Sequence, residues 1–158
     1  MFEIISKSPA ETADLGKKIG AMLPDGVVIC LYGDLGAGKT LFVQNLALGL
    51  GIDEDVTSPT FNIMNVYEGR LPLYHFDLYR LEQEYELEDI GFYDYVEESD
   101  GIVVIEWADK FADCLPEDYL LLTIERTGND DNERKLIFDI RGTAYTNIFQ
   151  EVGTLCQF

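Results

Sequence analysis

A glycine-rich segment at residues 33–40 has the clearest chemical signature in the sequence. It fits the pattern G-x-x-x-x-G-K-[ST], in which backbone N–H groups converge on phosphate oxygens. We expect Lys39 to neutralise the β- and γ-phosphates and the Thr40 hydroxyl to be a ligand for Mg²⁺. The alternative is a glycine-rich turn with an exposed lysine. The expected ATP-binding residues are Gly33, Asp34, Leu35, Gly36, Ala37, Gly38, Lys39, Thr40 and Leu41.

A phosphate-binding loop that supports catalysis needs an acidic group at the end of a neighbouring strand. Glu106 follows the apolar run Ile102–Ile105, so we interpret it as the Walker B carboxylate that holds magnesium. Its alternative is an ordinary glutamate at a strand end. Asp77 ends another predicted strand and could orient the attacking water or a magnesium-bound water, or instead cap a helix or pair with Arg80. The predicted catalytic residues are Lys39, Asp77 and Glu106.

Three further residues have open interpretations. Thr60 lies in a loop before a strand, where it could sense the γ-phosphate or simply form a turn. Trp107 is either a core residue or an anchor that faces a partner. His75, the only histidine, lies within a strand pattern and is expected to be packed or hydrogen-bonded rather than catalytic.

The type of nucleotide follows from an absent motif. A GTPase normally carries a base-reading N-K-x-D segment, and the sequence has none. The only D-x-x-G segment, at residues 139–142, comes too late in the chain for a GTPase. Adenine is therefore favoured over guanine.

Composition limits the partners and the location. The formal net charge is −19, and the basic residues are scattered, so we expect no tight direct binding to nucleic acid. The acidity favours either plain solubility or a basic protein partner. The three cysteines, an odd number, form neither a disulfide nor a metal pattern. No apolar run approaches the ~20 residues that span a bilayer, and no signal peptide is visible, which predicts a cytoplasmic protein.

Hydrophobic periodicity predicts alternating strands and helices. A capping box at residues 8–11 starts the first predicted element, a helix, and no strand is predicted before it. The resulting prediction is an α/β fold, a three-layer P-loop domain over residues 1–158 with a mixed, mainly parallel sheet. Predicted strands lie at 27–32, 61–67, 71–77, 102–105, 119–126 and 135–141, and predicted helices at 39–50, 82–98, 108–115 and 143–156.

Four segments together resemble the bacterial TsaE family. They are Gly-Asp-Leu-Gly-Ala-Gly-Lys-Thr at 33–40, Ser-Pro-Thr-Phe at 58–61, Tyr-His-Phe-Asp-Leu-Tyr-Arg at 74–80 and Ile-Glu-Trp at 105–107. The resemblance spans roughly residues 8–125, and the phrase at 74–80 is its most specific part. It implies the ATPase of the machinery that makes N6-threonylcarbamoyladenosine (t6A) in tRNA. It further implies a complex with two related proteins, TsaD and TsaB, of which TsaD performs the transfer.

The resemblance also assigns roles to individual residues. It implies that Gly36, Gly38 and Lys39 bind phosphate, that Thr40 and Glu106 hold Mg²⁺, and that Asp77 is needed for activity. The remaining implied positions are a switch-like loop at Ser58, Pro59, Thr60 and Phe61, an adenine-side segment at Ser8, Glu11 and Thr12, and Trp107 with Arg80 flanking the site or facing a partner.

Two rival functions remain open at this point. A small-molecule P-loop kinase would use groups equivalent to Lys39 and Glu106, but it would also need a lid with arginines. The sequence has five arginines, and none of them cluster. A scaffold that binds nucleotide without turnover is the second rival. Product analysis separates the three functions, because an ATPase releases free phosphate and a kinase makes a phosphorylated metabolite.

Overall fold

The computed structural model describes residues 1–34, 36–57 and 63–156. Its strands are β1 (Phe2–Ser6), β2 (Val28–Gly33), β3 (Met64–Tyr67), β4 (Leu73–Asp77), β5 (Ile102–Glu106), β6 (Tyr119–Arg126) and β7 (Arg134–Arg141). Its α-helices are α1 (Pro9–Met22), α2 (Lys39–Gly49), α3 (Glu84–Asp89), α4 (Phe92–Glu97) and α5 (Thr146–Leu155), and a 3₁₀ helix covers Ala108–Cys114.

All seven strands lie in one sheet of order β1-β7-β6-β2-β5-β4-β3. The strands β2, β4, β5 and β6 are mutually parallel, whereas β3 and β7 pair antiparallel with their neighbours. β1 pairs antiparallel with β7 and therefore runs in the same direction as the parallel strands. The predicted mixed, mainly parallel sheet is confirmed.

Helices cover both faces of the sheet, because the central strands are apolar on both sides. Along β2, Ile29 and Leu31 pack into the cluster formed with α1, α2 and α5. The alternate residues Val28 and Cys30 pack into the cluster formed with α3, α4 and the 3₁₀ helix. A continuous apolar strand is what burial on both faces requires. The three-layer α/β fold expected from the sequence is confirmed.

α1 and α2 pack closely against each other at positions that glycines occupy. A Cβ at Gly20 would overlap the Leu46 carbonyl oxygen, and one at Gly49 would overlap the Lys17 carbonyl oxygen. A Cβ at Gly16 would lie 3.0 Å from the Phe42 carbonyl oxygen. Residues later in α1 contact residues later in α2, so the two helices are parallel to each other. They therefore begin at the same edge of the sheet.

The N-terminal region differs from the prediction in two respects. β1 was not predicted, yet it pairs with β7 along its whole length. Ser8 caps α1 as predicted, since its Oγ accepts a hydrogen bond from the Glu11 backbone N–H at 3.2 Å. The reciprocal bond of a capping box is shifted by one residue, because Glu11 Oε2 accepts from Lys7 N–H at 2.7 Å. Within the described residues, no helix is long and apolar enough to cross a membrane.

Candidate nucleotide-binding site

The glycine-rich loop connects β2 to α2 at the carboxyl edge of the sheet. β2 ends at Gly33, and α2 begins at Lys39 with Gly38 as its N-cap. Gly38 has a φ of 111°, a conformation that residues with a Cβ rarely adopt, and it provides no side-chain cap to the helix. The first N–H groups of α2 thus keep their capacity to bind an anion. Leu35, a predicted member of the loop, lies outside the described residues.

Lys39 is the charged residue at the start of α2, and it is buried. Its Nζ lies 3.8 Å from Glu106 Oε1 and 5.0 Å from the centroid of the Trp107 ring. A buried ammonium group requires compensation by charge or by an aromatic face, and this lysine has both. The predicted lysine and the predicted strand-end carboxylate are thus brought together.

Glu106, Asp77 and His75 reach the same face of the sheet. Alternate residues of a strand share a face, so Leu73, His75 and Asp77 all point toward the layer that contains α2. Asp77 pairs with Glu106 across β4 and β5, and Leu31 pairs with Glu106 across β2 and β5. The carboxyl ends of three adjacent parallel strands therefore meet at the beginning of α2.

The His75–Glu106 contact is the shortest polar contact of this cluster. His75 Nε2 lies 2.7 Å from Glu106 Oε2, and the two residues are 1% and 4% exposed. Nδ1 of His75 is buried and has no hydrogen-bond partner among the residues that the structure describes. A buried N–H without an acceptor costs more than an unused lone pair, which assigns the proton to Nε2 and makes His75 the donor to Glu106. The expectation of a hydrogen-bonded histidine is confirmed, but its partner was not foreseen.

Asp77 is partly buried beside this cluster. Burial raises the pKa of its carboxyl group above the usual value, and the Glu106 charge adds to the increase. The Tyr79 backbone N–H, which donates to Asp77 Oδ1 at 3.0 Å, and the nearby His75 and Lys39 act in the opposite direction. The sequence offered a helix cap as the alternative role of Asp77. In the structure Asp77 instead accepts from a backbone N–H of the turn that follows β4.

Trp107 has an unusual backbone for its residue type. With a φ of 60°, it alone among the non-glycine residues of the described chain has a positive φ. Its ring lies over Lys39 and contacts the Tyr79 ring at a centroid distance of 4.9 Å. Residues held in such a sparsely populated backbone conformation cluster at functional sites. The structure places Trp107 half-buried at the site, at the rim of the core cluster.

A cleft of about 310 Å³ opens next to Lys39 and Trp107. Backbone and side chains at the ends of β2 and β6 form its walls, together with the carboxylates of Asp34, Asp109 and Glu125. Burial raises the pKa of Tyr32, another lining residue, to about 12. The lining of the cleft therefore combines three carboxylates with the Lys39 ammonium group.

The other predicted site residues lie around this centre. Ser8 and Thr12 belong to the beginning of α1, and Thr12 Oγ1 lies 2.6 Å from Ser6 Oγ. Thr40 and Leu41 are in the first turn of α2, and Arg80 is exposed just after β4. The predicted switch-like loop at residues 58–61 lies outside the described residues.

Two arginines that the sequence analysis treated as scattered also reach the loop. Arg126 Nη2 donates to the Gly36 carbonyl oxygen at 3.1 Å, and Arg134 Nε donates to the Ala37 carbonyl oxygen at 2.8 Å. The two arginines face each other across β6 and β7. No sequence signal marked them, because both bond main-chain atoms about ninety residues away.

The donor set fits magnesium bound together with a nucleotide. Thr40 supplies a hydroxyl oxygen and Glu106 a carboxylate, both hard oxygen ligands. In the parts of the chain that the structure describes, no group of three or more His, Cys, Asp or Glu side chains could hold a metal alone. Mg²⁺ is usually bound by one or two protein oxygens plus phosphates and waters, so this sparse set is suitable.

Comparisons with known proteins agree on one family. Residues 6–136 match the family described as Threonylcarbamoyl adenosine biosynthesis protein TsaE. The tRNA threonylcarbamoyladenosine biosynthesis protein TsaE of Treponema pallidum is 44% identical over 82% of this chain and 95% of its own length. Its Bacillus subtilis counterpart is 42% identical over 92% of this chain and 90% of its own length.

A solved structure has the same fold. The crystal structure of Bacillus subtilis YdiB superposes with a TM-score of 0.82 at 35% sequence identity, covering 97% of this chain and 94% of that one. Fold, motif and sequence similarity thus converge: the chain belongs to the TsaE family of proteins of tRNA threonylcarbamoyladenosine biosynthesis.

Proposed function

We propose that this chain is a P-loop ATPase, a single catalytic domain that binds and hydrolyses Mg-ATP in support of t6A formation by TsaD and TsaB in the cytoplasm. The observation that carries the proposal is the meeting of Lys39 and Glu106, 3.8 Å apart, at the glycine-capped start of α2. This is where a phosphate-binding loop and an acidic strand end have to converge.

Each residue has a defined task in this proposal. The N–H groups at the start of α2 bind phosphate oxygens, and Lys39 supplies the positive charge. Thr40 and Glu106 hold Mg²⁺, which would supply charge neutralisation at the phosphates when bound. Asp77 accepts a hydrogen bond from the attacking water and holds it in position. His75 keeps the Glu106 carboxylate in place.

The acidic surface supports a protein partner rather than tRNA as the direct contact. A net charge of −19 opposes binding to a phosphate backbone, and it favours a partner with a basic face. In this proposal the TsaD–TsaB pair contacts the tRNA, and ATP turnover here controls that pair.

Phosphate release from Mg-ATP tests the proposal, first with the chain alone and then with TsaD and TsaB added. Lys39→Ala is the blank, and Lys18→Ala is its matched control, because Lys18 is an exposed lysine paired with Asp14 on α1. We expect turnover that the pair stimulates, lost in Lys39→Ala and kept in Lys18→Ala. A phosphorylated metabolite instead of free phosphate would indicate a kinase, and nucleotide binding without any product would indicate a scaffold.

A further inference from the structure

Two arginines hold the glycine-rich loop from the outside. Arg126 ends β6 and Arg134 begins β7, and the two residues are directly opposite each other in the register. They donate to consecutive loop carbonyls, those of Gly36 and Ala37. Arg134 is the more firmly held of the two, since its Nη1 also donates to the Glu133 carbonyl oxygen at 2.9 Å and to the Asp131 carbonyl oxygen.

Holding a carbonyl oxygen also determines where the next N–H points. In a trans peptide, the C=O of one residue and the N–H of the next point in opposite directions within one plane. The Arg134 bond to the Ala37 oxygen therefore directs the Gly38 N–H away from the β6–β7 hairpin. The Arg126 bond to the Gly36 oxygen does the same for the Ala37 N–H, which donates to the Asp34 oxygen at 3.0 Å and closes the loop.

The loop needs such support because of its own composition. Gly36 has a φ of 79°, and Gly38 on the other side of Ala37 also has a positive φ. Glycines reach alternative backbone conformations at little cost, so peptide planes next to them rotate easily. A rotated plane would present a carbonyl oxygen to the phosphate where an N–H is needed.

We propose that Arg134, assisted by Arg126, is a positioning residue that keeps the peptide plane between Ala37 and Gly38 in its anion-binding orientation. It acts through the Ala37 carbonyl, without contacting the nucleotide. This inference rests on the proposed function of the loop as a phosphate site. It assigns part of the nucleotide affinity to hydrogen bonds made on the far side of the loop.

Substitutions at Arg134 separate positioning from plain charge. Arg134→Met removes both the charge and the donor. Arg134→Lys keeps the charge, but a methylene takes the place of Nε, so the bond to Ala37 is lost. Arg141→Met is the matched control: Arg141 lies at the opposite end of β7, where it is exposed and paired with Asp139.

Calorimetric titration with ADP and Mg²⁺ gives the affinity, and thermal unfolding checks the fold of each variant. We expect about tenfold weaker ADP binding in both Arg134→Met and Arg134→Lys, the loss typical of one hydrogen bond to a charged group. Arg141→Met should stay within about twofold of the wild type. Wild-type affinity in Arg134→Lys, or equal losses in Arg134→Met and Arg141→Met, would overturn the inference.

An amide NMR spectrum gives a readout that a merely structural role would not change. In the wild-type protein, we expect the Gly38 amide proton to shift downfield when ADP binds, as an N–H does when it donates to phosphate. The shift should be smaller in both Arg134 variants and unchanged in Arg141→Met. Full shifts in the Arg134 variants would refute the inference. If Lys39→Ala also left ADP affinity unchanged, the proposed function itself would be wrong.

Discussion

Glu106→Gln should strengthen the binding of metal-free ADP, although Glu106 belongs to the proposed site. In the structure, the Glu106 carboxylate is the charge partner of Lys39 and is itself 4% exposed. A nucleotide phosphate must replace Glu106 as the partner of Lys39, and it must approach the buried negative charge of Glu106 to do so. Glutamine keeps the size of the side chain and an oxygen that can accept from His75. It removes the negative charge that competes with the phosphate for Lys39 and repels the phosphate.

The distance sets the size of the effect. Two unit charges 3.8 Å apart attract by about 4 kcal/mol at an effective dielectric constant of 20. If a third of that attraction opposes the phosphate, ADP should bind the variant about tenfold more tightly than the wild type without metal. With Mg²⁺ present, the wild type should bind ADP more tightly than the variant. The variant has lost a carboxylate that would hold the metal, so Mg²⁺ should add little to its ADP affinity.

Calorimetric titration of ADP, once with a chelator and once with Mg²⁺, measures both effects. Glu125→Gln is the matched control, because Glu125 is an exposed carboxylate of the cleft beside Lys39 and its loss changes the net charge equally. We expect the control to change metal-free affinity by less than about twofold. Weaker metal-free binding in a folded Glu106→Gln variant would show that Glu106 does not compete for Lys39, and the reasoning would be refuted.

Two further pairs of substitutions test the support of Glu106 by His75 and the packing of α1 against α2. His75→Leu should reduce phosphate release at least about tenfold, because a hydrogen bond to a buried charge is lost. His75→Gln, whose amide is able to donate to Glu106, should retain most of the phosphate release, and equal losses in the two variants would contradict the positioning of Glu106 by His75. Gly20→Ala should lower the free energy of unfolding in urea by about 1–3 kcal/mol through overlap with α2, whereas Gly153→Ala, whose methyl group would meet the Phe2 ring at 3.6 Å, should be neutral or slightly stabilising. Equal stability of the two glycine variants would contradict the close packing of α1 and α2.

The parts of the fold predictable from sequence are those where local pattern and burial agree. β2 and β5 are buried on both faces, so each is a continuous apolar run that predicts a strand even when its neighbouring strands are unknown. The β6–β7 hairpin is equally visible, because two alternating segments flank a short polar turn. β1 was missed because five residues at the chain start form a weak pattern, and its partner β7 lies more than a hundred residues later.

The candidate site shows the same division. The glycine-rich motif and the apolar strand before Glu106 identify residues whose side chains would act directly on the nucleotide in the proposed function. His75 contacts Glu106, which lies 31 positions later, and its aromatic neighbours in the sequence made it resemble any packed histidine. Arg126 and Arg134 bond main-chain oxygens 90 and 97 positions away. A contact to a backbone atom leaves no requirement on the type of residue contacted, so no pattern in the sequence can indicate it.

The contacts of Lys39 within the protein connect these observations to nucleotide affinity. Its ammonium group already has a carboxylate at 3.8 Å and an aromatic face at 5.0 Å, so the fold does not need a nucleotide to neutralise a buried charge. Binding is then an exchange of partners at Lys39, and only the difference between the two sets of contacts contributes to affinity. In the proposed site, Glu106 would exchange Lys39 for Mg²⁺ in the same event. Metal and nucleotide should therefore bind cooperatively, because each removes a contact that opposes the binding of the other.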